Sequence, residues 1–194
     1  MAKTTTIYTP DCVWGGELAG RFDSTTDLKV GLSSTDNYRG RCTFSSIPEY
    51  WNIKTMTLHL YRIDSYNSHK LLLGGSSSDN YNAGLDFSFL HTFSSGQNVH
   101  HNLSIIEYAK TIQKYKDSWY LHIRHGSGSN SYSEFSGNER SNIYKPYIYI
   151  EYEDALVYYG DENKWKSCIL YYGNNGQWQQ VIPYYGIENK WQQV

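Results

Sequence analysis

Lys54-Thr55-Met56-Thr57-Leu58-His59-Leu60-Tyr61-Arg62-Ile63 decides the fold. Met56, Leu58 and Leu60 alternate with Thr55, Thr57 and His59. A strand sends successive side chains to opposite faces, so this stretch predicts a β-strand with one buried and one wet face. Toward the N-terminus, Tyr38 to Phe44 reads as a second strand, stopped by the turn Ser45-Ser46-Ile47-Pro48, and Thr4 to Tyr8 as a β-rich opening strand. Toward the C-terminus, Leu71-Leu72-Leu73, closed by Gly74-Gly75, reads as a short, fully buried strand. A polar, turn-rich linker follows from Ser76 to Ala83. Trp119, Leu121 and Ile123 then alternate with Tyr120, His122 and Arg124, which predicts another strand with His122 on its wet face. Gly126 to Asn130 reads as a flexible loop. In the final strand, Tyr147 to Tyr152, Ile148 and Ile150 share one side.

One helix is expected. Ser104 and Glu107 make a capping box, and Ile105, Tyr108, Ala109 and Ile112 recur at helical spacing, so the helix is predicted over about 104–115. Many short strands with one helix predict a mainly β chain, a two-sheet antiparallel β-sandwich over residues 1–154.

Residues 155–194 are different in kind. Tyr158-Tyr159-Gly160, Tyr171-Tyr172-Gly173 and Tyr184-Tyr185-Gly186 each lead to a tryptophan, Trp165, Trp178 and Trp191, at a period of 13 residues. A repeat this short buries its aromatic face only by stacking on the next copy or on a partner chain. Each copy reads as a β-hairpin. In the middle one, Asn175-Gly176 supplies the positive φ of the turn; in the others Asn163 and Asn189 can take it. Asp154 and Ala155 bridge the two parts without a flexible linker. The aromatic contact candidates are therefore Trp165, Trp178 and Trp191 with Tyr159, Tyr172 and Tyr185. They either form the core of the repeat or offer stacking surface to sugars and other proteins. Trp51, beside Tyr50 and the Pro48 turn, is a further exposed-aromatic candidate.

Composition narrows the function classes. A net charge of −2, with scattered lysines and arginines, gives no reason to expect nucleic acid or an anionic membrane as partner. Aliphatic residues are sparse and 20 tyrosines take much of their place, which suits half-buried strands and wet interfaces. Met1-Ala2-Lys3 runs into Thr4-Thr5-Thr6 with no apolar stretch, so no signal peptide is expected, and no segment reaches membrane-spanning length. Cys12, Cys42 and Cys168 are far apart and odd in number, and are read as reduced thiols of a chain made in a cytoplasm. A protein working outside the cell by another exit route, such as phage lysis, fits that set.

No catalytic or metal constellation is assigned. His122 and His125 with His100 and His101 could supply nitrogens, but His122 is read on the wet face, His125 lies where the strand gives way to the Gly/Ser loop, and no second cluster completes a tetrahedral set. Ser127 and Ser129 lack the nucleophile-elbow context. Glu134, Glu139 and Asp86 could be a glycosidase pair only at a separation that the sequence does not set. Asp11 with Asp79-Asn80 is the candidate set for a structural calcium; no other cofactor is expected.

Arg39-Gly40-Arg41-Cys42-Thr43-Phe44-Ser45-Ser46-Ile47-Pro48, followed by Lys54 to Tyr61, resembles the opening stretch of DNRLRE-type jelly-roll domains. Phe135 to Arg140 and Lys145 to Tyr152 resemble that family's closing motif, and the expected helix before Trp119 falls where the family places one. The resemblance covers roughly 5–153, with Met56 and Tyr149 as departures. It implies a jelly-roll β-sandwich similar to carbohydrate-binding modules, found in bacterial surface proteins and phage structural proteins, without general catalytic machinery. It also suggests that Glu139 is a structural residue, paired with Arg39 or Arg41. The tail resembles the terminal glycine–tryptophan repeats of phage tail and adhesion proteins. Choline-binding repeats are similar in composition, but their unit is longer.

The expected protein is a non-enzymatic phage or prophage virion component: a tail, fibre or capsid-associated protein, with 1–154 as the sandwich and 155–194 as docking repeats. Its expected partners are other virion proteins, copies of itself in a trimer, and host-surface glycan on the outward face. The other reading is a carbohydrate-binding module of a bacterial surface or secreted protein.

Overall fold

The structure is a computed structural model. It describes residues 2–22, 27–32, 36–66, 68–94, 96–127, 131–137 and 144–154, together with the strand backbones of 157–161, 164–168, 171–174, 177–180, 184–187 and 190–193. In chain order the strands are β1 (Lys3–Tyr8), β2 (Cys12–Gly16), β3 (Leu28–Leu32), β4 (Asn37–Ser45), β5 (Trp51–Tyr66), β6 (His69–Ser76), β7 (Phe87–Phe93) and β8 (Val99–Ser104). A 3₁₀ turn at Ile106–Tyr108 runs into the short helix α1 (Ala109–Ile112). Then come β9 (Ser118–Ser127), β10 (Ser131–Phe135) and β11 (Tyr147–Asp154).

These strands form one antiparallel sheet that curls over itself in the order β1-β11-β5-β10-β3-β4-β9-β6-β7, with β2 added to β4 and β8 to β5. The 16-residue β5 makes this possible. Its first part pairs with β11 and its middle with β8, while its end pairs with β10. β10 in turn pairs with β3. The β10–β3 pair therefore joins two layers, β1–β11–β5–β8 and β2–β4–β9–β6–β7, into a jelly-roll-like β-sandwich.

The stretch that predicted the fold does what its alternation requires. Met56, Leu58 and Leu60 are at most 1% exposed and join Ile148 and Ile150 in the core. The other layer contributes Cys42, Phe44, Leu71, Leu73, Trp119, Leu121 and Ile123 to the same cluster. Trp119 stacks on Phe44 with ring centroids 5.2 Å apart. Full burial of such rings stabilises by about 2–3 kcal/mol each.

The helix is shorter than expected and starts later. Ser104 closes β8 opposite Thr57, and the Ile105 amide donates to the Met56 carbonyl at 2.9 Å. Sheet pairing thus holds the backbone that the capping box would need, and neither helical segment has a side-chain cap. The apolar spacing still marks the buried side: Ile105, Ala109 and Ile112 are in the core. Gln113, 4% exposed, donates from Nε2 to the Pro48 and Trp51 carbonyls at 2.8 Å each, fastening the turn between β4 and β5.

Three other expectations are corrected. Leu72 is half-buried, so β6 alternates, and Gly74-Gly75 continues the strand. A Cβ on Gly74 would lie 2.4 Å from the Phe87 carbonyl oxygen; the missing side chain lets β7 approach. His122 is not on a wet face: it is 1% exposed. Finally, Gly126 and Ser127 belong to β9; residues 128–130 lie outside those described.

The tail contains three two-stranded antiparallel hairpins: β12 (Val157–Asp161) with β13 (Lys164–Cys168), β14 (Tyr171–Asn174) with β15 (Gln177–Gln180), and β16 (Tyr184–Ile187) with β17 (Lys190–Gln193).

Candidate functional site

Arg39 and Arg41 on β4 share a face, as do His122 and Arg124 on β9, and Arg41 and His122 are register partners. The sequence reads this face as wet. The linker Ser76–Ala83 lies over it instead, and this row of donors, three guanidiniums and one imidazole, holds it down by backbone carbonyls. Arg39 Nη1 donates to Tyr81 O (3.3 Å) and Asn82 Oδ1 (2.9 Å). Arg41 Nη1 donates to Asp79 O (3.0 Å), and Arg124 Nη2 to Ala83 O (2.5 Å). His122 Nε2 lies 3.0 Å from Ser78 O; a carbonyl only accepts, so the ring carries its proton on Nε2. An irregular loop cannot satisfy its own carbonyls, and guanidinium forks supply the missing donors.

Burial sets the electrostatics. His122 is pushed down to about 4, first by burial and then by Arg124 and Arg41, against the opposing Ser78 hydrogen bond. Arg124 is lowered by burial and by Arg39. Asp11 and Asp79 each place a carboxylate oxygen 3.5 Å from Arg41. The cation these two carboxylates answer is thus the guanidinium. The calcium candidates converge, but on an arginine.

Beside this row lies a cleft of ≈ 330 Å³ between the β2–β3 connection and the pinned linker, bounded by Arg21, Phe22, Arg41, Asp79, Asn80 and Tyr81. Phe22 packs on Tyr81 at 5.2 Å, and Arg41 sits 5.3 Å from the Phe22 ring and 5.1 Å from that of Tyr120. The cleft therefore offers an aromatic wall with charged and amide groups on the rim.

The opposite layer carries a second feature. Tyr8 (45% exposed) contacts Tyr147 at 5.4 Å, and Tyr147 stacks on His59 at 4.2 Å and 9°. Two residues along β5, Tyr61 packs on His100 at 4.7 Å and Tyr144 at 4.5 Å. These rings form a band across the outer face of β1–β11–β5–β8. Its sequence signal is the wet half of the deciding stretch, where His59 and Tyr61 flank Leu60.

Of the sequence-predicted contact residues, Trp51 is half-buried and stacked on Tyr152 at 3.7 Å and 15°. It also packs against the edge of the core. The side chains of Trp165, Trp178, Trp191, Tyr159, Tyr172 and Tyr185 lie outside the described residues. Their strand backbones show one shared register: Gly160 faces Trp165, Gly173 faces Trp178 and Gly186 faces Trp191. Glu139 lies outside the described residues; Arg39 and Arg41 bond the linker. Asp86 accepts from the Tyr115 hydroxyl at 2.7 Å, which raises that phenol, after the larger effect of burial. Among the described residues, no group of three or more His, Cys, Asp or Glu side chains could hold a metal ion. No helix of the described residues is long and apolar enough to cross a membrane.

No protein-family model matches the chain, and comparison with curated proteins found no match. Among solved structures, the chain is similar to one titled Cowpea mosaic virus top component, naturally occurring empty particles. The identity is 11%, the TM-score 0.22, and the match covers 86% of this chain and 85% of that one. A likeness of that size says nothing about function.

Proposed function

We propose that this chain is a non-enzymatic structural protein of a bacteriophage or prophage virion, in which the sandwich is a rigid platform and the tail repeats bind neighbouring subunits. The observation that carries the reading is the common register of the three hairpins, each setting a glycine opposite its tryptophan. Three copies of one adhesive unit suit repeated contact with identical neighbours, where several weak contacts add into a firm one. A closed homo-oligomer, taken as a trimer, is the assembly that follows, with other virion proteins as further partners. No bond-making step is assigned to the sandwich: the Arg39, Arg41, His122 and Arg124 row holds a loop and Asp86 holds a tyrosine.

Light scattering on the full chain tests this. The full-length protein is expected to be a trimer, and the combined Trp165→Ala, Trp178→Ala and Trp191→Ala variant a monomer with unchanged circular dichroism from the sandwich. A wild-type monomer that also fails to bind particles would sink the proposal.

The aromatic band and the Phe22–Tyr81 cleft favour a second reading, a carbohydrate-binding module that takes host-surface glycan by stacking and hydrogen bonding. A glycan array separates the two. Binding that is lost in Tyr147→Ala or Phe22→Ala, with no oligomer formed, would favour the module.

A further inference from the structure

Cys12 and Cys42 are register partners across β2 and β4. The sequence separates them by 30 residues, yet their sulfur atoms lie 2.8 Å apart and both side chains are fully buried. The ladder fixes what kind of pair this is. The Thr43 amide donates to the Asp11 carbonyl, so the neighbouring pair, Asp11 with Thr43, is the hydrogen-bonded type. Cys12 and Cys42, one step along, form the non-hydrogen-bonded type, in which Cα atoms stand about 4.5 Å apart and side chains are closest. That spacing falls inside the range a disulfide spans, about 4.4–6.8 Å.

We infer that Cys12 and Cys42 form an intramolecular disulfide when the protein meets a small-molecule disulfide such as oxidised glutathione, and that the bond locks β2 onto the sandwich. In the reaction one thiolate attacks the glutathione disulfide, forming a mixed disulfide and releasing one glutathione thiol. The second cysteine loses its proton and attacks the protein sulfur of that mixed disulfide, releasing the other glutathione thiol. The two cysteines are oxidised by two electrons and one glutathione disulfide is reduced.

The fold also says how the reagent gets in. Among the described residues β2 pairs with β4 alone, so it can open without unzipping the rest of this layer. While it is closed, burial and the neighbouring Cys12 push the Cys42 thiol up, which keeps it inert. Opening exposes both sulfurs together, and reclosing returns them to bonding distance. Val13 and Arg41 are the next pair along the ladder, so the bond also fixes the β2 wall of the cleft. This inference does not depend on the virion reading.

The full chain would be equilibrated with reduced or with oxidised glutathione, quenched with an alkylating reagent in denaturant, and mapped by mass spectrometry. The oxidised sample is expected to yield a linked Cys12–Cys42 peptide, an alkylated Cys168 and a monomeric band without reductant. Its melting temperature should be about 5–10 °C above that of the reduced sample, because the bond closes a 30-residue loop in the unfolded chain. Oxidation should also run faster in urea below the unfolding transition. Equal alkylation of all three cysteines after oxidation, a bond to Cys168 instead, or an oxidised form that melts no higher than the reduced one would overturn the inference.

Discussion

Acidifying the protein from neutral pH to about pH 4.5 should loosen it through one imidazole. His122 is 1% exposed, lies between Arg41 and Arg124, and is pushed down to about 4 from an ordinary value of 6.5. Protonation would add a fourth positive charge to a covered row that already holds Arg39, Arg41 and Arg124. The unfolded chain takes up the proton first, near its ordinary value. This contribution to stability is therefore complete above about pH 6.5, falls as the pH drops toward 4, and is exhausted below that. The whole difference corresponds to about 3 kcal/mol, of which about 2.5 kcal/mol is gone at pH 4.5. His101 is also pushed down to about 4, chiefly by burial, but it is half-exposed and its share is reduced by screening. The comparison is urea unfolding of wild type and His122→Gln across this pH range. The glutamine amide can still donate to the Ser78 carbonyl and does not titrate. At pH 7 the variant should be about 1 kcal/mol less stable, the ordinary cost of a poorer hydrogen bond and packing. Near pH 4.5 it should equal or exceed wild type, with His101 acting alike in both. If the two proteins lose stability in parallel between pH 6.5 and 4.5, the linkage reasoning is wrong.

Gln113→Ala should cost about 2 kcal/mol in urea unfolding, because it removes the side-chain donor of the Trp51 carbonyl and leaves the Pro48 carbonyl with the Trp51 amide. Gly74→Ala should lower stability by about 2 kcal/mol or more, since the new methyl would meet the Phe87 carbonyl at 2.4 Å and part β6 from β7; a melting temperature equal to wild type would contradict that close approach.

Some of the molecule was legible residue by residue. Where buried positions are filled by aliphatic or large aromatic side chains, as in β5, β9 and β11, alternation located the strand and named its inner face. β10 was missed because two of its three inner positions are Ser131 and Ser133, which read as loop in a linear string, with Phe135 the third. In the fold Ser133 Oγ lies 3.3 Å from His69 Nε2, a buried polar pair that only tertiary contact supplies. β2 was missed for a related reason: its inward residues are a cysteine and glycines.

By itself, the sequence determined the β architecture and the threefold tail, because period-two alternation and a 13-residue repeat are local properties of the chain. Only the tertiary structure decided what covers what. It laid Ser76–Ala83 over the Arg39, Arg41, His122 and Arg124 row, brought Cys12 to Cys42, and gathered Tyr8, Tyr147 and His59 into one band. Each of these joins residues far apart in the chain through strand pairing or loop cover. Their energy comes from the closing of the sheet, which no window of neighbouring residues contains.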